Sequence, residues 1–175
     1  MTKKIRTGFY GGSFNPIHEA HLALGDYLIS NALVDECWFV VSPLNPLKKT
    51  ADPADARFRL EAVSHALEGH SGCTASDIEF HLPLPSYTVQ TLRYAIEKYP
   101  EREFVLLIGG DNLDVFTKWK EYEYLLAHFD ILVYPRPGAS NKVPEDWKRM
   151  RIIDGPMMDI SSTEIRKTKK SSTRT

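Results

Sequence analysis

Apolar positions along this chain alternate between two rhythms. Ile5 to Tyr10 and Cys37 to Ser42 carry apolar residues closely enough spaced to predict two strands. Phe104 to Ile108 is a continuous apolar run that ends in Gly109-Gly110, as expected of a central strand covered on both faces. Ile131 to Tyr134 predicts a similar strand, stopped by Pro135-Arg136-Pro137-Gly138, and Met150 to Ile153 a short last one. Between them, spacings of three and four predict helices over Ala54 to Leu67 and over Thr88 to Tyr99, the latter with Val89, Leu92, Ile96 and Tyr99 on one face. This alternation predicts an α/β fold with a mainly parallel sheet and helices on both faces. Ser140 to Asp146 reads as a polar loop, and with no internal repeat or linker, residues 1–175 are expected to form a single domain.

The segment from Gly11 to Leu22 stands out against this background. Gly11-Gly12 follows the first strand, where the chain must turn and a ligand could approach the backbone closely. Pro16 suits a helix start, and the unpaired N–H groups of a first turn favour an anion. On that helix Ala20, Ala23, Leu24, Tyr27 and Leu28 form an apolar stripe, whereas His18, His21 and Gly25 cluster well away from its centre. The histidines therefore look aimed at a site. Solvated surface histidines, satisfied core histidines and a metal pair are the competing readings, the last lacking a nearby third ligand of established spacing.

Composition sets outer limits. The 175 residues are 42% hydrophobic and 26% charged, with a formal net charge of −1, so no wholesale binding to nucleic acid or to a membrane is expected. Met1-Thr2-Lys3-Lys4 runs straight into a strand without a signal-peptide core, and no apolar run approaches about 18 residues. Cys37 and Cys73 lack a CxxC spacing and are expected as reduced thiols of a soluble, cytoplasmic protein. Lys167 to Thr175 is polar and basic and is expected to be a mobile tail.

In parallel sheets ligands sit beyond the carboxyl ends of the strands. That edge collects Asn15, His18 and His21 after the first strand, Pro43, Pro46, Lys48 and Lys49 after the second, Gly109, Gly110 and Asp111 after the third, and Arg136 after the fourth. Singly, each has a plain alternative: a proline-rich turn, solvated lysines, a helix cap, a surface arginine. Near the end, Ile160-Ser161-Ser162-Thr163-Glu164-Ile165-Arg166 fits a capping box between Ser161 and Glu164, and equally a helix end whose hydroxyls and Arg166 would suit a polyphosphate.

The Gly11 to Leu22 segment resembles the GG[ST]F[DN]PxHxGH signature, and Ile160 to Arg166 the ISSTxIR signature, of the nucleotidyltransferase superfamily. With Pro43 to Lys48, Tyr87 to Leu92, Gly109-Gly110-Asp111, Trp119 and Arg136-Pro137-Gly138, the chain from about residue 5 to 167 is similar to bacterial nicotinate-nucleotide adenylyltransferases. Two departures are Ala20, where the motif usually has glycine, and the short basic ending.

The resemblance implies a Rossmann-like, doubly wound fold. It also implies adenylyl transfer from ATP to nicotinate mononucleotide, giving deamido-NAD and pyrophosphate, with Mg²⁺ carried by ATP rather than by a protein cage. His18, His21 and Arg166 are its implied catalytic residues. Gly12, Ser13, Phe14, Asn15, Gly109, Asp111, Arg136, Ser162 and Thr163 would meet ATP, and Lys48, Tyr87, Thr88 and Trp119 the pyridine nucleotide, Thr88 having a helix cap as its alternative. A homo-oligomer is left open. Three alternatives accompany this reading: a nicotinamide-nucleotide adenylyltransferase, a phosphopantetheine adenylyltransferase, which typically has threonine at the first histidine position, and a non-catalytic nucleotide-binding regulator. An oxidoreductase is disfavoured because the GxGxxG turn is missing.

Overall fold

The structure is a computed structural model and describes residues 3–44 and 53–155. Six strands form one sheet: β1 (Ile5–Gly12), β2 (Glu36–Val41), β3 (Cys73–Ser76), β4 (Arg102–Gly109), β5 (Asp130–Tyr134) and β6 (Met150–Ile152). Their order is β3-β2-β1-β4-β5-β6 and every pairing is parallel. The chain builds outward from β1 to β3, crosses back over β1 to β4, and builds outward again. Helices α1 (Glu19–Ser30), α2 (Pro53–Ala66), α3 (Thr88–Lys98), α4 (Gly110–Leu113) and α5 (Tyr122–His128) occupy the connections. Residues 135–149 join β5 to β6 without one.

Strand alternation splits the core into two layers. Phe9, Trp38, Leu106 and Ile131 point to the face packed with Val89 and Leu92 of α3 and Leu125 of α5. Tyr10, Phe39, Leu107 and Leu132 point to the other, against Leu24 and Leu28 of α1 and Val63 of α2. Register explains the matching, because Phe9 pairs with Trp38 and Tyr10 with Phe39 across β1 and β2. Cys37 and Cys73 are register partners on β2 and β3, both free and buried.

Several local expectations are corrected. Gly11 and Gly12 extend β1 in register with Val40 and Val41 rather than forming the turn. The turn falls on Phe14, at φ 47°, and on Asn15-Pro16, a cis peptide, so Pro16 does not open the helix, which begins at Glu19. The buried face of α1 is Leu24, Gly25 and Leu28, with Ala23 exposed. Gly25 is therefore a core position: a methyl group there would stand 2.8 Å from the Phe39 ring and 3.2 Å from Cys73 Sγ. The helix lies close to the sheet because that side chain is missing. On α3, Ile96 is 42% exposed, and Thr91 and Ala95 join Val89 and Leu92 in the buried face. β3 and α5 were not foreseen; each is short and carries mixed polarity.

Candidate functional site

Strand order reverses between β1 and β4, and there the connections leave in opposite directions and open a crevice at the carboxyl ends. Gly11, Gly12, Leu106, Leu107 and Ile108 line a cavity of about 180 Å³ at this point. From Gly12, at this cavity, the chain runs on to the histidine pair at the start of α1.

His18 occupies the N-cap position of α1 with extended backbone, and His21 lies one turn inside the helix. Their rings stack with centroids 3.7 Å apart and planes at 29°. The His18 main-chain N–H donates to His21 Nδ1 at 3.1 Å, while the His21 N–H donates to the His18 carbonyl at 3.0 Å. A main-chain N–H can only donate, so His21 Nδ1 is unprotonated and the neutral ring carries its proton on Nε2. Burial, then the neighbouring His18, then Arg136 hold the His21 pKa down at about 3. Burial and then Arg136 also lower that of His18. The pair is thus a neutral donor set at physiological pH.

The histidines are not separated from the core as expected. His21 packs edge-on against Phe14 at 5.1 Å and Tyr10 at 6.1 Å. Phe14 is only 4% exposed, so its ring is a wedge beneath His21 and leaves its backbone alone to meet a ligand. Two buried polar atoms lack hydrogen-bond partners among the described residues, His18 Nε2 and the Tyr10 hydroxyl. Such an atom costs about 1–3 kcal/mol until something satisfies it, which suits His18 Nε2 to an incoming ligand.

Across the crevice, Gly109 ends β4 and Gly110 begins α4. A methyl group at Gly109 would lie 2.5 Å from Asp111 Oδ1 and 2.9 Å from the Tyr134 ring, and one at Gly110 would collide with Asn141 Oδ1. Asn141 accepts from the Arg136 N–H and donates to the Arg136 carbonyl, both at 3.0 Å, which closes the turn after β5, and Ser140 donates to Asp114 to fasten that turn to this corner. Gly109, Asp111 and Arg136 thereby share one edge with the histidines. Thr88 and Trp119 line the far side of the 180 Å³ cavity, and a second cavity of about 290 Å³ lies against Tyr87, Thr88 and Trp119. Trp119 leans on Phe116 with ring centroids 5.1 Å apart, and the Lys120 ammonium lies 4.6 Å from the exposed Tyr87 ring. Thr88 is not a helix cap, because Tyr87 holds that position. Lys48, Ser162, Thr163, Arg166, the Ser161–Glu164 pair and the tail from Lys167 lie outside the described residues.

Two residues of the site were missed in the sequence. Arg59, 2% exposed, reaches from α2 to donate to the carbonyls of Ser13 (2.7 Å), Ser42 (2.8 Å) and Pro43 (3.3 Å), and to Asp55 Oδ2 (3.0 Å). One guanidinium thus ties the loops after β1 and β2 to the helix. Its signal was available: Arg59 lies on the stripe of Ala56, Val63 and Leu67, where a charge needs a built partner. Glu79, 8% exposed, sits in the turn Ile78–His81 and lines the crevice cavity. No periodicity marks that turn.

An all-parallel sheet with its order reversed beside β1, and a neutral histidine pair over the reversal, define a nucleotide-handling α/β protein of the nucleotidyltransferase kind. The chain belongs to the cytidylyltransferase-like family, which matches residues 9–168, and within it to the nicotinate-nucleotide adenylyltransferases. A relative from Cytophaga hutchinsonii, named probable nicotinate-nucleotide adenylyltransferase, is 46% identical over 162 residues, covering 93% of this chain and 84% of the relative. One of the same name from Bacteroides fragilis is 48% identical over 163 residues, covering 93% and 81%. The fold is shared with the Plasmodium falciparum nicotinic acid mononucleotide adenylyltransferase solved in complex with NaAD, at a TM-score of 0.75 and 24% identity, with 93% and 83% of the two chains covered. Among the described residues no helix is long and apolar enough to cross a membrane.

Proposed function

We propose that this chain transfers the adenylyl group of ATP to nicotinate mononucleotide, giving deamido-NAD and pyrophosphate. The observation that carries the reading is the stacked, neutral His18–His21 pair at the N-terminus of α1, the helix that follows β1, the strand beside which the sheet order reverses. The names of the relatives supply the acceptor.

The chemistry asks little of a general base. A phosphate oxygen of the mononucleotide is already anionic; it forms a bond to the α-phosphorus of ATP as the bond to the bridging oxygen breaks and pyrophosphate leaves with that electron pair. Catalysis then reduces to in-line placement and stabilisation of the departing charge. His21 offers Nε2–H, and His18 has its own Nε2 free of protein partners among the described residues. The unpaired N–H groups of the first turn of α1 add a positive field. Asp111 and the Gly109 backbone are proposed to meet the adenosine, and Thr88 and Trp119 the pyridine ring. Ser162, Thr163 and Arg166 are proposed to grip the outer phosphates, and Lys48 to approach the mononucleotide.

Mg²⁺ is proposed to arrive on the phosphates of ATP. Bound there, it supplies further neutralisation of the β- and γ-phosphates. The test is to mix purified protein with Mg-ATP and, separately, nicotinate mononucleotide, nicotinamide mononucleotide and phosphopantetheine, and to follow pyrophosphate release. Turnover with nicotinate mononucleotide is expected. No turnover with either pyridine nucleotide overturns the proposal.

A further inference from the structure

Glu79 is the one carboxylate among the described residues that is buried, and no ion pair neutralises it there. Thr91 Oγ1 donates to its Oε2 at 3.0 Å and Ser86 Oγ to its Oε1 at 3.4 Å. Thr91 Oγ1 also lies 3.2 Å from the Tyr87 carbonyl oxygen, so its single proton is shared. The contrast with Arg59 is plain: that buried ion has a carboxylate and three carbonyls. Burial accordingly pushes the Glu79 carboxyl up in pKa, with the two hydroxyls opposing.

Nor is Glu79 sealed off. Among the described residues it is the sole ionisable one lining the 180 Å³ cavity, whose wall also carries Trp119, Thr88 and Asn112. A carboxylate on that wall sorts ligand groups by charge. The phosphate and the ring carboxylate of nicotinate mononucleotide are both anions and are repelled. The ring nitrogen, quaternised by its bond to ribose, carries a permanent positive charge. An indole face attracts the same cation through its quadrupole.

We propose that Glu79 and Trp119 together form a cation site for the pyridinium ring, with the carboxylate as counter-charge and the indole as the stacking face. The inference rests on the adenylyl-transfer reading and deepens it. Glu79 attracts the ring nitrogen but repels an acid substituent, so any preference for nicotinate over nicotinamide nucleotides lies with other groups.

Glu79→Gln tests this, since glutamine keeps the length and a carbonyl acceptor for Thr91 and Ser86 but removes the charge. Binding to wild type and variant is measured by calorimetry for nicotinate mononucleotide and for its carbon-linked 3-carboxyphenyl analogue, whose ring has the same shape and no charge. Wild type is expected to prefer the cationic ring by about tenfold or more. In Glu79→Gln this preference falls to about threefold or less, with affinity for the neutral-ring analogue unchanged or higher and KM for ATP unchanged. Equal weakening of both ligands assigns Glu79 to a structural or ribose-binding role and overturns the proposal, as does no change in either. Should the variant be insoluble, equal affinity of wild type for the two ligands overturns it alone. Pyrophosphate release from wild type keeps the outcomes apart: its absence with both pyridine nucleotides refutes the activity, whereas turnover with no preference for the charged ring refutes only the cation site.

Discussion

Replacing Arg59 with methionine separates positioning from chemistry, because this buried guanidinium is committed to four protein acceptors. Methionine fills a similar volume, so the cost is polar. Three carbonyls, of Ser13, Ser42 and Pro43, lose their donor together, and Asp55 loses its partner. Breaking a buried charged pair costs about 3–5 kcal/mol, and the lower part of that range applies because the Asp55 side chain is 24% exposed and can be hydrated. Carbonyls at loop ends can also recruit water. A loss of about 3–4 kcal/mol follows, or roughly 10 °C in Tm for a chain of this length. The loops after β1 and β2 would no longer be held to one another, so kcat/KM should fall by more than tenfold at a temperature where circular dichroism shows the variant fully folded. Arg59→Lys keeps the charge but not the fork, and should recover stability better than turnover. A variant within about 1 kcal/mol of wild type in urea unfolding would show that these hydrogen bonds do not hold the loops, and full activity in a destabilised variant would refute the positioning role.

Gly25→Ala should destabilise by about 1–2 kcal/mol, because overpacking against Phe39, which is fully buried, outweighs the gain of up to about 1 kcal/mol in helix propensity; a rise in Tm would show that α1 can retreat from the sheet. For His21, nitrogen NMR of the free protein should show a neutral ring with the proton on Nε2 from pH 8 down to about 4. Its folded pKa is depressed to about 3 while the unfolded value is near 6.5, so its contribution to stability is complete above pH 6.5 and is lost as pH falls toward 3. A midpoint near 6.5 in the folded protein would overturn the effect of burial, and a neutral ring protonated on Nδ1 would overturn the assigned tautomer.

Much of the fold was legible because strand and helix periods are local. The strands at Phe104 and Ile131 needed only their own apolar residues, and the parallel layout followed from their alternation with helices. The candidate edge was legible for a related reason, since parallel strands deliver their carboxyl ends to one side, and so Asn15, His18, Gly109, Asp111 and Arg136 could be gathered without coordinates. β3 escaped because a four-residue edge strand of Cys, Thr, Ala and Ser carries little pattern. Gly25 was misplaced because glycine looks neutral on a helical wheel, whereas its position was decided by the Phe39 ring it admits.

Residue types and spacing by themselves determined that this chain would build an α/β sheet and carry a histidine pair beyond its first strand. Only the tertiary structure decided that the pair is neutral and oriented, that Arg59 holds the loops around it, and that Glu79 opens into the crevice. Those properties depend on desolvation and on contacts between residues such as Arg59 and Ser13, 46 positions apart, or Arg59 and Ser42, 17 apart. Burial and partner are relations between distant segments, and no window of sequence contains them.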